Sequence, residues 1–260
     1  RAPTNTWNLW HQGHIDDLFD RLIENFVITR GVDANRVYLM GYSAGGDGVY
    51  QLAPRMADRF ASAAMMAGHP NNANPLGLRN LPFMIFMGGK DGAYGRNRVA
   101  AEWGKKLGAL RKGDPGGYEH KVTIYPQHGH WMNRDDREAL PWMITRTRNP
   151  WPKKIVWHQS GRTHERFYWL AVARGTAKGG QTVEAEVKGQ EITLSAGGRK
   201  ELKLRLSDQL LDLDQPVVVK ADGREVFRGK VERGVQAIWN SLQERPDVTS
   251  VATAELQLKF

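Results

Sequence analysis

The chain has 260 residues, enough to bury a large core in one or two domains, and 40% of them are apolar. Its 37 Lys and Arg against 28 Asp and Glu leave a formal charge of +9 at pH 7, but no basic run and no nucleic-acid motif accompanies that excess, which reads as a solvated basic surface rather than a nucleic-acid partner. The absence of cysteine excludes a disulfide and a thiolate metal site, no apolar run reaches the roughly 20 residues of a membrane span, and the opening "RAPTNTWNLWHQGH" lacks the apolar core of a signal peptide.

Within residues 14–30 the apolar side chains Ile15, Leu18, Phe19, Leu22, Ile23, Phe26 and Val27 recur at three and four, which predicts an amphipathic helix. Asp16 and Asp17 suit the positive end of its dipole. A turn, a strand over 37–40 and a helix over about 45–60 follow. "ASAAMMAGH" and "LPFMIFMGG" are short, nearly continuous in apolar character and bounded by Gly, Pro and Asn, as buried parallel strands are. Val99, Trp103, Leu107 and Leu110 place a helix over 97–111, "KVTIY" supplies another strand, and a last helix closes the series. This alternation predicts an α/β fold with a mostly parallel sheet flanked by helices.

After "LPWMITRTRNPWPKK" the pattern changes, with Pro150 and Pro152 breaking the last helix. The segments "RFYWLAVAR", "TVEAEVKG", "EITLSA", "ELKLRLSD", "PVVVKADG", "EVFRGKV" and "SVATAELQLKF" are short, partly alternating and separated by turn residues, with a helix over about 235–243. Residues 1–150 are thus expected to form one domain and residues 151–260 a small all-β sandwich. "KADGREVF" is the clearest hairpin, with Asp222 and Gly223 at its tip.

The chemistry concentrates in the first domain. In "RVYLMGYSAGGDGVY" a strand meets a helix at Gly41-Tyr42-Ser43-Ala44-Gly45, the form of a nucleophile elbow. A serine there sits in a strained turn that pushes its hydroxyl out beyond the sheet, and Gly41 and Gly45 provide the small residues that let strand and helix pack closely. A serine hydroxyl needs a base, and the base needs an orienting carboxylate. Asp91 follows the strand "FMIFMGGK" and His130 follows "KVTIYPQHG", giving the chain order Ser43, Asp91, His130. Alternatives stand beside each. Asp91 in "KDG" also suits a helix cap, and His128 competes as base because Gly129 lets the loop turn either way. Asp135 and Asp136 compete as the acid, although they lie where a helix start would be capped. The Ala44 N–H, at the positive end of a helix, is an oxyanion donor. Tyr42, His69 and Trp131 are candidates to line a pocket. His11, His14, His120, His158 and His164 show no metal-ligand spacing with carboxylates, so no metal and no cofactor is expected.

Over residues 5–147, "GYSAGGDGVY", "GGKDGAYGRN" and "HGHWM" resemble the α/β-hydrolase superfamily, in its phospholipase/carboxylesterase-like and polyhydroxybutyrate-depolymerase or feruloyl-esterase-like branch. The resemblance implies Ser43 as nucleophile, Asp91 as acid and His130, preceded by glycine, as base, acting on a small-molecule or polymer ester. The strands that such enzymes carry ahead of the elbow, with the loop that completes the oxyanion hole, have no counterpart before Ser43, so the sequence is expected to be a fragment of a longer protein with a partial α/β-hydrolase fold. The leading expectation is an esterase working through an acyl-enzyme. A serine peptidase with the same three residues is one alternative. The other is a non-catalytic binding protein whose all-β domain holds a partner or polysaccharide on Trp157, Phe167, Tyr168 and Trp169. Nothing in the sequence sets an oligomeric state.

Overall fold

The structure is a computed structural model that describes residue 10 and residues 12–260; His11 and the leading segment 1–9, on which part of the sequence reading falls, lie outside the described residues. Two compact units emerge. One comprises the described residues through Ile23 together with Asn35–Arg148, the other Glu24–Ala34 together with Asn149–Phe260, so the division falls inside the first helix, α1 (His14–Arg30).

The first unit is built on four strands, β1 (Tyr38–Tyr42), β2 (Ser62–Met66), β3 (Phe83–Gly88) and β4 (His120–Tyr125). They lie side by side in chain order and every pairing is parallel. The central strands β2 and β3 are buried along their whole length, which their apolar runs demand of a sheet covered on both faces. Alternation assigns the faces. Phe83 meets Tyr50 of α2 (Ala44–Arg55) and Trp103 of α3 (Arg96–Gly113), with ring centroids 5.9 and 6.1 Å away. Met84 and Phe86, one step out of phase, join Met66, Met132 and the residues Ala139 and Met143 of α4 (Ala139–Met143) in a separate cluster. Each buried aromatic or methionine side chain here contributes about 1.5–3 kcal/mol of transfer free energy.

Several boundaries differ from the sequence reading. The strand expected over 37–40 runs to Tyr42, the residue before the serine. Helix α2 ends at Arg55, where Met56 leaves helical geometry at φ −122°, and the remaining residues form a single 3-10 turn, Ala57–Arg59. The last helix is a 3-10 turn, Asp135–Glu138, running into the five residues of α4.

The second unit contains β5 (Lys154–His158), β6 (Arg166–Phe167), β7 (Leu170–Ala171), β8 (Thr182–Lys188), β9 (Glu191–Ser195), β10 (Glu201–Leu206), β11 (Val217–Ala221), β12 (Arg224–Gly229), α5 (Val235–Glu244) and β13 (Ala254–Lys259). These strands form one sheet in the order β13-β10-β7-β6 and another in the order β12-β11-β9-β8-β5. Only β9 and β11 pair in parallel within them. Strand β5 was not singled out from sequence, and "RFYWLAVAR" is not one strand. Tyr168 adopts φ 52°, which turns the chain so that Phe167 of β6 pairs with Leu170 of β7. The expected hairpin forms at Asp222 and Gly223, both at positive φ (46° and 81°), the pair of left-handed residues that a two-residue β-turn of the primed type requires. The proposed aromatic platform is absent: Trp157, Phe167, Tyr168 and Trp169 are 0–4% exposed, Trp157 stacks on Phe167, and the Trp169 indole N–H donates to the Pro152 carbonyl. They are core.

Candidate active site

Ser43, Asp91 and His130 all follow the carboxyl ends of parallel strands: Ser43 after β1, Asp91 three residues beyond β3, and His130 beyond β4. Ser43 holds φ 57° and ψ −120°, a conformation outside the allowed regions for most side-chain-bearing residues. Glycines make that corner possible. A Cβ on Gly41 would lie 2.2 Å from the carbonyl oxygen of Gly45, so strand and helix approach too closely there for any other residue. The second small residue is not the one expected. A Cβ on Gly45 would meet nothing within 4 Å, whereas one on Gly46 would lie 2.5 Å from the Met66 carbonyl oxygen and 2.9 Å from Gly68. Close packing of α2 on the end of β2 therefore falls on Gly46.

His130 Nε2 lies 2.9 Å from Ser43 Oγ, and His130 Nδ1 lies 2.6 Å from Asp91 Oδ2. A carboxylate oxygen can only accept from the ring, so this geometry fits the tautomer with its proton on Nδ1, in which Nε2 faces the serine hydroxyl as an acceptor. Asp91 is 3% exposed, and its other oxygen, Oδ1, faces Arg96 Nη1 at 3.5 Å. Its loop is fixed from both sides: the Asn97 N–H donates to the Asp91 carbonyl at 3.1 Å and Asn97 Nδ2 to the Gly89 carbonyl at 2.8 Å. The capping alternative does not describe this side chain, because the cap position before α3 is Gly95, in a left-handed conformation with no side-chain cap bond.

The competitors point elsewhere. His128 Nε2 meets Asp135 Oδ2 at 2.8 Å, and its ring packs on Tyr125 at 5.3 Å. The turn that Asp135 and Asp136 begin follows Arg134, whose side chain makes no cap bond. Burial, reinforced by Asp135, holds the Asp136 carboxyl above the usual range. His69 is turned to its own loop, where its Nδ1 accepts the Asn71 N–H at 2.9 Å while its backbone N–H donates to Asp47 at 2.6 Å. Trp131 is 58% exposed, with its ring 5.6 Å from that of Tyr42.

Ala44 opens α2, and the N–H groups of a first helical turn have no acceptor within the helix, so the positive end of its dipole lies beside Ser43. No cluster of three or more His, Asp or Glu fit to hold a metal occurs among the described residues. No helix among them is long and apolar enough to cross a membrane. Sequence reasoning missed Arg96 and Gly46; a basic residue shortly after the acid and the doubled glycine of "AGG" are the signals that pointed to them.

No family model matches the chain, and no curated protein sequence matches it. Similar solved structures include a thermostable esterase, 20% identical with a TM-score of 0.42 over 50% of this chain and 36% of that one. A carboxylesterase from Mesorhizobium loti is 16% identical with a TM-score of 0.39 over 50% of this chain and 59% of that one. The apoenzyme of the S-formylglutathione hydrolase FrmB from Staphylococcus aureus is 15% identical with a TM-score of 0.40 over 53% of this chain and 64% of that one. The match thus spans less than two thirds of each of these proteins.

Proposed function

We propose that this chain carries the catalytic centre of a serine hydrolase of the α/β-hydrolase fold that cleaves carboxylic esters, small or polymeric, through an acyl-enzyme. The observation that carries the reading is the continuous relay from Ser43 Oγ through both nitrogens of His130 to the buried Asp91 carboxylate. Ser43 Oγ attacks the ester carbonyl as its proton passes to Nε2, and Asp91 holds the imidazolium in place. The carbonyl oxygen becomes an oxyanion, to which the Ala44 N–H and the N-terminal end of α2 are directed. His130 then protonates the departing alcohol. Water, deprotonated by the same Nε2, attacks the acyl-serine and releases the acid.

Burial of the four aromatics of the second unit removes the surface on which the non-catalytic binding alternative relied. The test is covalent capture. A fluorophosphonate is expected to label the full chain at Ser43 and to leave Ser43→Ala unlabelled. Absence of labelling in wild-type protein with native circular dichroism overturns the proposal.

A further inference from the structure

Tyr42, immediately before Ser43, was a candidate for lining a pocket, but its polar end is committed elsewhere. Its Oη donates to the backbone carbonyl of His130 and accepts the backbone N–H of Met132 at 3.3 Å. One hydroxyl thus grips the chain on both sides of Trp131. The ring adds an edge contact with His130 at 5.8 Å. Burial, with the nearby Asp136 and Asp91 carboxylates, raises the phenol above its ordinary range against the opposing bond from Met132, so the group remains a donor at every pH at which a histidine works as a base.

This grip matters because His130 lies in a stretch with neither helix nor strand, between β4 and the turn Asp135–Glu138. The stretch has a second fastening at its start. The Lys90 N–H donates to the His128 carbonyl at 2.8 Å, and Gly88 lies so close that a Cβ there would come within 1.8 Å of the Gly129 carbonyl oxygen. That fastening ties the loop to the end of β3, where Asp91 is. The tyrosine hydroxyl ties it to the end of β1, through the residue adjoining the nucleophile. A displacement of about 1 Å between reacting groups costs on the order of 100-fold in rate.

We infer that Tyr42 is a positioning residue for the base: its hydroxyl fixes the backbone of 130–132 relative to Ser43 and so sets the distance between Ser43 Oγ and His130 Nε2. This rests on the proposed hydrolase reading. Tyr42→Phe keeps the ring and deletes the two hydrogen bonds. The expected result is a kcat lower by about 10- to 100-fold with KM within about twofold, and a matching fall in the rate of fluorophosphonate labelling per folded molecule. An unchanged kcat in folded Tyr42→Phe overturns the inference while wild-type labelling leaves the hydrolase reading standing. A wild type that is neither labelled nor active defeats that reading instead. Hydrogen exchange on the wild type carries the test if the variant does not fold: the Met132 amide is expected to be protected, and exchange at the rate of a free loop amide overturns the inference.

Discussion

The guanidinium of Arg96 approaches Asp91 from the side opposite His130, Nη1 to Oδ1 at 3.5 Å, while Oδ2 serves the imidazole. The Tyr94 ring covers the same guanidinium at 4.9 Å. A nearly buried carboxylate therefore has a cation on one oxygen and a histidine on the other. Removing the cation with Arg96→Gln is expected to cost about 1–3 kcal/mol of stability, read as a lower urea midpoint. An unchanged midpoint would show that the contact holds nothing.

Asp91→Asn preserves shape but presents an amide that can donate, so Nδ1 of His130 no longer needs its proton and Nε2 is left protonated toward the serine. Turnover is expected to fall by about four orders of magnitude, the scale of a wrong tautomer in a Ser-His-Asp triad. His128→Ala, which leaves the backbone carbonyl that receives Lys90 in place, is expected to keep wild-type turnover. Steady-state kinetics of the two variants with one ester substrate decides between the histidines. Loss of activity in His128→Ala with retention in Asp91→Asn would reverse the assignment.

The two elbow glycines should respond oppositely to alanine. At Gly41 the new methyl would collide with a backbone carbonyl at 2.2 Å, and the expected cost is about 3 kcal/mol or more. At Gly45 there is space, φ is not positive, and the position is helical, so alanine is expected to be neutral or to stabilise by up to about 1 kcal/mol. Thermal denaturation of both variants checks this. Equal losses would refute the reading of the corner.

His158, on β5, bonds through Nδ1 to Thr182 Oγ1 at 2.8 Å, and burial lowers its pKa below the ordinary value of 6.5. Because the unfolded chain binds this proton more readily than the folded one, stability is full above the unfolded value and declines as pH falls through it toward the folded value. The denaturation midpoint of wild type is therefore expected to drop between about pH 7 and pH 5, and that of His158→Gln to drop less. Parallel profiles would exclude the histidine as a source.

Local pattern alone identified the elements that carry the site. Continuous apolar runs located β2 and β3, helical spacing located α1 and α3, and the strand-turn-helix signal at Gly41–Gly45 singled out Ser43, because each of these depends on the φ and ψ preferences and burial needs of residues adjacent in the chain. The short hairpin of β6 and β7 was less legible, since an all-apolar run carries no alternation to mark where Tyr168 turns back. The partners of Ser43 could be named as types in a plausible order, but the choice between His128 and His130 was open, because Gly129 lets the chain present either. Tertiary structure places His130 beside Ser43 and His128 beside Asp135. With β1 and β4 three strand spacings apart, roughly 14 Å, the loop after β4 must return over the strand ends to reach the serine. Its path is set by the contact of Gly88 with Gly129 and by the hydroxyl of Tyr42, contacts between residues 41 and 88 positions apart in sequence. Such distances follow from sheet register and packing, which no local window encodes.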